Sequence, residues 1–128
     1  MDKITQQNHC IKTDSYSLQM WPLYALIIYY EPSILEIKVL KEVRDHLKKY
    51  YAQRYFVLIN KRNAPNAIDP RIYKYALKNI KGIAIVCHNP NLRQQLIQEQ
   101  KMWKRSFAYF QNIRDAQKWA LDCFDSHS

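Results

Sequence analysis

Residues 55–76, YFVLINKRNAPNAIDPRIYKYA, contain the patterns that indicate the fold most clearly. The first five residues form an apolar run rich in aromatic and branched side chains, which is typical of a strand buried on both faces. Two cations, Lys61 and Arg62, follow closely, and the helix-start pair of Asp69 and Pro70 comes a few residues later. The stretch therefore predicts a strand, a loop that displays two cations, and a helix.

That predicted helix runs from Asp69 toward the only glycine in the chain, Gly82. Glycine readily adopts the left-handed conformation that ends many helices, so Gly82 is expected to be the C-terminal cap. The expected packing face of the helix consists of Tyr73, Ala76, Leu77 and Ile80.

The alternation of strand and helix continues toward the C-terminus. The apolar run at 83–88 predicts a second buried strand, and 90–103 predicts a helix that starts in the Asn-Pro-Asn segment at 89–91. SFAYF at 106–110 predicts a last short strand. Asn112, with an acidic residue three positions later, predicts the start of a final helix.

Toward the N-terminus, the segments 8–21 and 22–31 each predict one strand, with a bulge, bend or edge position at Pro22. Ser33 and Glu36 form a capping box that predicts a helix start. The apolar face of this helix consists of Ile37, Leu40, Val43, Leu47 and Tyr50, and the opposite face carries Lys41, Arg44 and Lys48.

These elements predict an α/β fold with one domain over residues 1–128. A leading antiparallel hairpin is followed by βαβαβα, which gives a mixed sheet with helices packed on it, because strands alternating with helices imply parallel crossovers. Residues 1–8 are expected to be a poorly ordered tail. No apolar stretch reaches the roughly 18–20 residues that a bilayer requires, and the N-terminus lacks the apolar centre of a signal peptide. We therefore expect a cytoplasmic protein.

The sequence carries 20 Lys and Arg against 11 Asp and Glu, for a formal net charge of +9. A charge of this size favours anionic partners such as nucleic acid, acidic proteins or lipid headgroups, without choosing among them. The cations recur along the whole chain, so a solvated basic exterior is the simplest interpretation. The aromatic and cationic segment KMWKRSFAYF, residues 101–110, has residue types that stack on bases, but helix and strand packing explains it more simply.

Several chemistries are excluded or disfavoured by the residue types. A single glycine cannot build the glycine-rich loops that hold nucleotide phosphates. The three cysteines have no C-x-x-C pair and the four histidines have no metal-binding spacing, so neither a metal site nor a cofactor is expected. An enzyme based on a Cys87 nucleophile would need a base and an oxyanion donor, which no motif supplies.

The order of motifs resembles the STAS-like fold, particularly the small bacterial SpoIIAA-like proteins related to anti-sigma-factor antagonists. The similar segments, which cover most of residues 16–124, are YFVLINKRN, AIDPRIYKYAL, KGIAIVCHNPNLRQQL and FAYFQNIRDAQKWAL. In the antagonists a partner kinase phosphorylates a serine at the N-terminus of the helix after the third strand. Here Pro70 and Arg71 stand where that hydroxyl would be needed. The resemblance therefore implies a protein-binding surface without the phosphorylation switch.

We expect partner or anion contacts at the loop that follows the strand in residues 55–59. The carboxyl ends of parallel strands are also the edge where open α/β sheets commonly bind ligands. The candidate partner- or anion-binding residues are Lys61, Arg62, Asn63, Asn66, Asp69, Arg71 and Lys74. The candidate ligand edge is Cys87, His88 and Asn89.

The leading hypothesis is a non-enzymatic, regulatory module that binds a protein partner. One alternative is a carrier of a lipid or other apolar ligand in a cavity between the sheet and the helices. The other is nucleic-acid binding through the basic surface. A homodimer is compatible with the sequence.

Overall fold

The computed structural model describes residues 9–30, 37–62, 77–88, 97, 101 and 106–124. The helices there are α1 (Ile37–Tyr51) and α2 (Ile113–Asp122). The strands are β1 (His9–Lys12), β2 (Tyr16–Met20), β3 (Tyr24–Tyr29), β4 (Phe56–Lys61), β5 (Ile80–Val86) and β6 (Ser106–Phe110).

The strands form one mixed six-stranded sheet in the order β1-β2-β3-β4-β5-β6. The pairs β1–β2 and β2–β3 are antiparallel, whereas β3–β4, β4–β5 and β5–β6 are parallel. The predicted α/β class, the antiparallel beginning and the parallel crossovers are confirmed. The central placement of β4 and β5 explains their nearly continuous apolar sequences, because a parallel strand with helices on both faces has no solvent side.

The single strand predicted over residues 8–21 is wrong, because the chain turns back between Lys12 and Tyr16. The Thr13 hydroxyl accepts hydrogen bonds from the backbone N–H groups of Ser15 and Tyr16, both at 3.1 Å. A threonine that satisfies its own backbone in this way stabilises a turn, so the polar Thr-Asp-Ser segment ends one strand and starts another. The bend predicted at Pro22 is confirmed between β2 and β3.

On one face of the sheet, α1 buries Val43, Leu47 and Tyr51 against the strands. The ring of Tyr51 lies parallel to that of Phe56, with centroids 3.9 Å apart. Its hydroxyl lies 2.6 Å from the carbonyl oxygen of Trp21 and 2.7 Å from that of Tyr24, so the phenol attaches the end of α1 to the β2–β3 turn.

On the opposite face, α2 packs through Ala116 and Ala120, both with no exposed surface. Its predicted start is confirmed, because the Asn112 side chain accepts a 2.8 Å hydrogen bond from the backbone N–H of Asp115. Small side chains let the helix backbone approach the sheet closely.

The expectation that Gly82 caps a helix is wrong, because Gly82 lies inside β5 and has no positive φ. Ile80, expected on a helix, is the first residue of the same strand. A Cβ at Gly82 would lie 3.0 Å from the Cη2 atom of Trp119. Close approach of α2, rather than a left-handed turn, therefore explains the glycine.

The predicted helix start at Asp69 and the Asn-Pro-Asn segment at 89–91 lie outside the described residues. Of the helix predicted over 90–103, Ile97 and Lys101 are described, and both are helical.

Candidate functional site

The structure brings the described candidate residues together at one edge of the sheet. Lys61 on β4 is in register with Val86 on β5, and the backbone N–H of Arg62 donates to the Val86 carbonyl oxygen at 2.9 Å. The backbone N–H of Cys87 donates in turn to the carbonyl oxygen of Phe110 on β6, also at 2.9 Å. We call this region, with Asn60, Lys61, Arg62, Cys87 and His88, the carboxyl edge.

The two adjacent cations at the end of β4 differ in exposure, which corrects the expectation that both are displayed. Lys61 is half-buried, and Arg62 is only 5% exposed. A guanidinium loses solvation at such a depth and must be stabilised by protein groups. We therefore regard Arg62 as part of the structural support of the carboxyl edge, and Lys61 as the cation that a partner can reach.

His88 and Cys87, the other described candidates, also differ. His88 is exposed, whereas Cys87 is half-buried and packs against the core on the α1 side. His88 can therefore contact a partner directly, together with Lys61 on the neighbouring strand.

Asn60 belongs to this edge but was missed in the sequence. Its register partners, Ile27 and Ile85, both point into the core beneath α1, so Asn60 points there as well. Its Oδ1 atom is buried and has no hydrogen-bond partner in the described part of the chain. The sequence did contain a signal for Asn60, because a polar amide directly follows the apolar run FVLI. A polar group that is buried normally requires a hydrogen-bond partner.

Two tyrosines line the same side of the sheet near this edge. Tyr16 and Tyr29 are in register, and the Tyr16 hydroxyl donates a 2.6 Å hydrogen bond to the carboxylate of Glu42 on α1. The pKa of Tyr16 is raised well above its ordinary value, mainly by burial and to a smaller extent by the hydrogen bond to Glu42. The pKa of Tyr29 is also raised, mainly by burial and to a smaller extent by the electrostatic effect of the nearby Tyr16. Both phenols therefore stay protonated at neutral pH and can act as hydrogen-bond donors.

The remaining candidate residues lie outside the described residues. They are Asn63, Asn66, Asp69, Arg71, Lys74 and Asn89. In the ranges that are described, no group of three or more His, Cys, Asp or Glu side chains is arranged to hold a metal ion. None of the described helices is long and apolar enough to cross a membrane.

A concave region lies at the opposite end of the parallel strands from the carboxyl edge. It is an open cleft of about 350 Å³ between the starts of β5 and β6 and the end of α2. Burial raises the pKa of the Cys123 thiol, an effect that the nearby Lys81 ammonium partly offsets. The residues that line this cleft are Lys81, Ser106, Trp119, Asp122 and Cys123.

The arrangement of strands and helices is also found in a solved structure. The crystal structure of an uncharacterised DUF3478-family protein from Shewanella loihica PV-4, which has a SpoIIAA-like fold, matches with a TM-score of 0.60. The match covers 89% of this chain and 92% of that chain at 13% sequence identity. The fold is SpoIIAA-like. No family model and no curated protein matches the chain.

Proposed function

We propose that this SpoIIAA-like chain is a non-enzymatic, regulatory module that binds a protein partner through the carboxyl edge. The main support is that adjacent parallel strands present Lys61 and His88 at the same edge of the sheet. The buried Arg62 and the inward-facing Asn60 add polar groups at the same edge. A cation and an imidazole on a rigid sheet edge can pair with acidic or hydrogen-bonding groups of a partner.

The state of the neighbouring phenols disfavours their use as proton acceptors in a reaction. A tyrosine that accepts a proton during a reaction must first be deprotonated, which a raised pKa opposes. The pKa values of Tyr16 and Tyr29 are both raised, mainly by burial. These groups are therefore suited to fixed hydrogen bonds.

Site-specific photo-cross-linking tests the proposal. A photoreactive amino acid is placed at Lys61 or His88 in the producing host, and a third variant carries it at Lys118, an exposed control position on α2. We expect the two edge positions to give the same protein adduct and the control position to lack it. The purified partner should then bind wild-type chain more tightly than the Lys61→Glu variant. Identical adducts at all three positions, or equal affinity for both chains, would contradict the proposal.

The alternative of an apolar-ligand carrier requires a cavity between the sheet and a helix. Under α1, the rings of Tyr51 and Phe56 are fully buried and stack with centroids 3.9 Å apart, so they fill part of the layer between the helix and the sheet. The cleft near Lys81 opens instead at the other end of the strands and has charged residues in its wall. Protein binding is therefore the preferred function. A lipid mass that co-purifies with the chain in native mass spectrometry would reverse this preference.

A further inference from the structure

Positive charge is distributed unequally between the two described helices. α1 carries five cationic and two acidic side chains, whereas α2 carries two of each. Because the helices cover opposite faces of the sheet, the excess charge that they contribute lies on one side of the molecule.

Helical geometry concentrates this charge along the outside of α1. Lys38, Lys41, Lys48 and Lys49 are all exposed and recur at spacings that place them on the side opposite Val43 and Leu47. We call these four residues the lysine row. With a rise of 1.5 Å per residue, the row extends for about 16 Å along the helix. Two exposed acidic side chains offset part of the charge: Asp45 lies among the four lysines, and Glu42, which accepts a hydrogen bond from Tyr16, lies one turn from Lys38.

The chemistry of the row indicates which polyanion fits it. The apolar side of α1 is buried in the core, and the large hydrophobic side chains exposed among the described residues, Tyr30, Tyr55 and Leu121, all lie outside α1. A membrane-binding helix normally supplements charge with an inserted apolar side, which α1 cannot supply. Single-stranded nucleic acid is commonly held by stacking on exposed aromatic rings, which the row also lacks.

Duplex nucleic acid requires neither feature, because release of counterions from its phosphates is enough to drive non-specific binding. Lysine provides a compact charge rather than the planar fork with which arginine recognises base edges. We propose that the lysine row of α1 binds the phosphate backbone of duplex nucleic acid without reading its sequence. This function is separate from protein binding at the carboxyl edge, since the row lies on a helix and includes neither Lys61 nor His88.

Fluorescence anisotropy with a labelled DNA duplex of random sequence tests the inference. With three or four phosphates neutralised, the logarithm of the association constant should fall with the logarithm of salt concentration with a slope of about −3. Absence of binding at low salt, or a slope near zero, would overturn the inference.

Two charge-reversal variants test whether binding to the duplex depends on where the positive charge lies or only on the net charge of the protein. Lys48→Glu/Lys49→Glu alters the row, and Arg114→Glu/Lys118→Glu makes the same change in net charge at exposed positions of α2. We expect the row variant to bind at least about tenfold more weakly with a slope shallower by about two, because two phosphate contacts are lost. The α2 variant should change affinity by less than about threefold. Equal weakening by both variants would overturn the inference.

Vesicles with and without phosphatidylserine provide the competing test. Row-dependent binding to the anionic vesicles, with no binding to the duplex, would show that the row is a membrane contact instead. Urea unfolding of each variant confirms that the exposed substitutions leave the fold intact.

Discussion

On one face of the sheet α1 buries a large ring against the strands, whereas on the other face α2 buries only two alanines. Tyr51 and Phe56 are both fully buried and stack face to face under α1. The buried residues of α2 are Ala116 and Ala120, and Gly82 on β5 lies against the tip of the Trp119 side chain. The first side should therefore be most sensitive to loss of volume and the second to gain of volume.

The largest expected effect is the loss of a ring from the α1 side. Phe56→Ala removes a side chain with no exposed surface and should lower the free energy of unfolding by about 3–5 kcal/mol. Urea denaturation followed by circular dichroism measures the change. The matched control is Tyr55→Ala at the adjacent position, where the side chain is 62% exposed and little stability should be lost. Similar losses in both variants would show that the core does not depend on this stack.

A smaller effect is expected from adding volume on the α2 side. In Gly82→Ala, the new Cβ would lie 3.0 Å from the Cη2 atom of Trp119 and 3.3 Å from the Cβ and carbonyl oxygen of Ser106. The strand and the indole must then separate, which should cost about 1–3 kcal/mol.

A double-mutant cycle identifies the cause of that cost. Trp119→Phe shortens the ring that meets the added methyl group, so Gly82→Ala should be less destabilising in the Trp119→Phe background, with a coupling free energy of about 0.5–3 kcal/mol. Additive effects would mean that the indole contact is not what requires glycine here.

Alkaline pH should weaken the packing of Tyr51 on the α1 side. Burial, as the largest cause, raises the pKa of Tyr51 above its ordinary value of about 10. The unfolded chain therefore loses this proton first, so the stabilisation is complete below about pH 10 and decreases as the pH rises toward the folded pKa.

The measurement is the urea midpoint of wild type and two variants at a series of pH values. Tyr51→Phe should be less stable at neutral pH, because the hydroxyl contacts to Trp21 and Tyr24 are lost, but should show a smaller decline above about pH 10. Tyr55→Phe, at an exposed position, should follow wild type. If the urea midpoint falls equally in all three proteins above about pH 10, Tyr51 is not a source of the alkaline destabilisation.

The smallest expected effect concerns the turn that ends α1. Ala52 has a φ of 54°, which glycine adopts without the cost that a Cβ imposes. Ala52→Gly should therefore raise the free energy of unfolding by about 0.5–1 kcal/mol, as the relief of strain exceeds the added chain entropy. Gln53→Gly, one residue later, is the control and should give no increase. A loss of stability in Ala52→Gly would contradict this explanation.

Elements whose signals are local were predicted well from the sequence. SFAYF forms β6, and Asn112 begins α2 through a hydrogen bond to a residue three positions away. The turn at Thr13 was missed although its signal is also local, because alternating apolar residues on both sides resembled one long strand. Gly82 was assigned to a helix end because that is a frequent position for glycine, whereas its actual neighbour, Trp119, is distant in sequence.

For the candidate residues that the structure describes, the sequence predicted their place in the sheet but not their exposure. The order of strands and helices was enough to place Lys61 and Cys87 at the same edge of the sheet. Adjacent cations in a sequence look equally exposed, yet Arg62 is buried and Lys61 is not. The two cations differ in exposure because adjacent residues of an extended chain point to opposite sides of the sheet, and different groups cover each side.

The sequence alone was enough to predict most of the described strands and helices, since turn residues, helix caps and apolar periodicity act over a few positions. It also determined the excess of positive charge. The assembled sheet and helices establish that α1 and α2 cover opposite faces, that α1 buries a ring where α2 buries alanines, and which of the described cations are exposed. These outcomes depend on contacts between residues far apart in the chain, whose free energies exist only when the sheet and its helices are assembled.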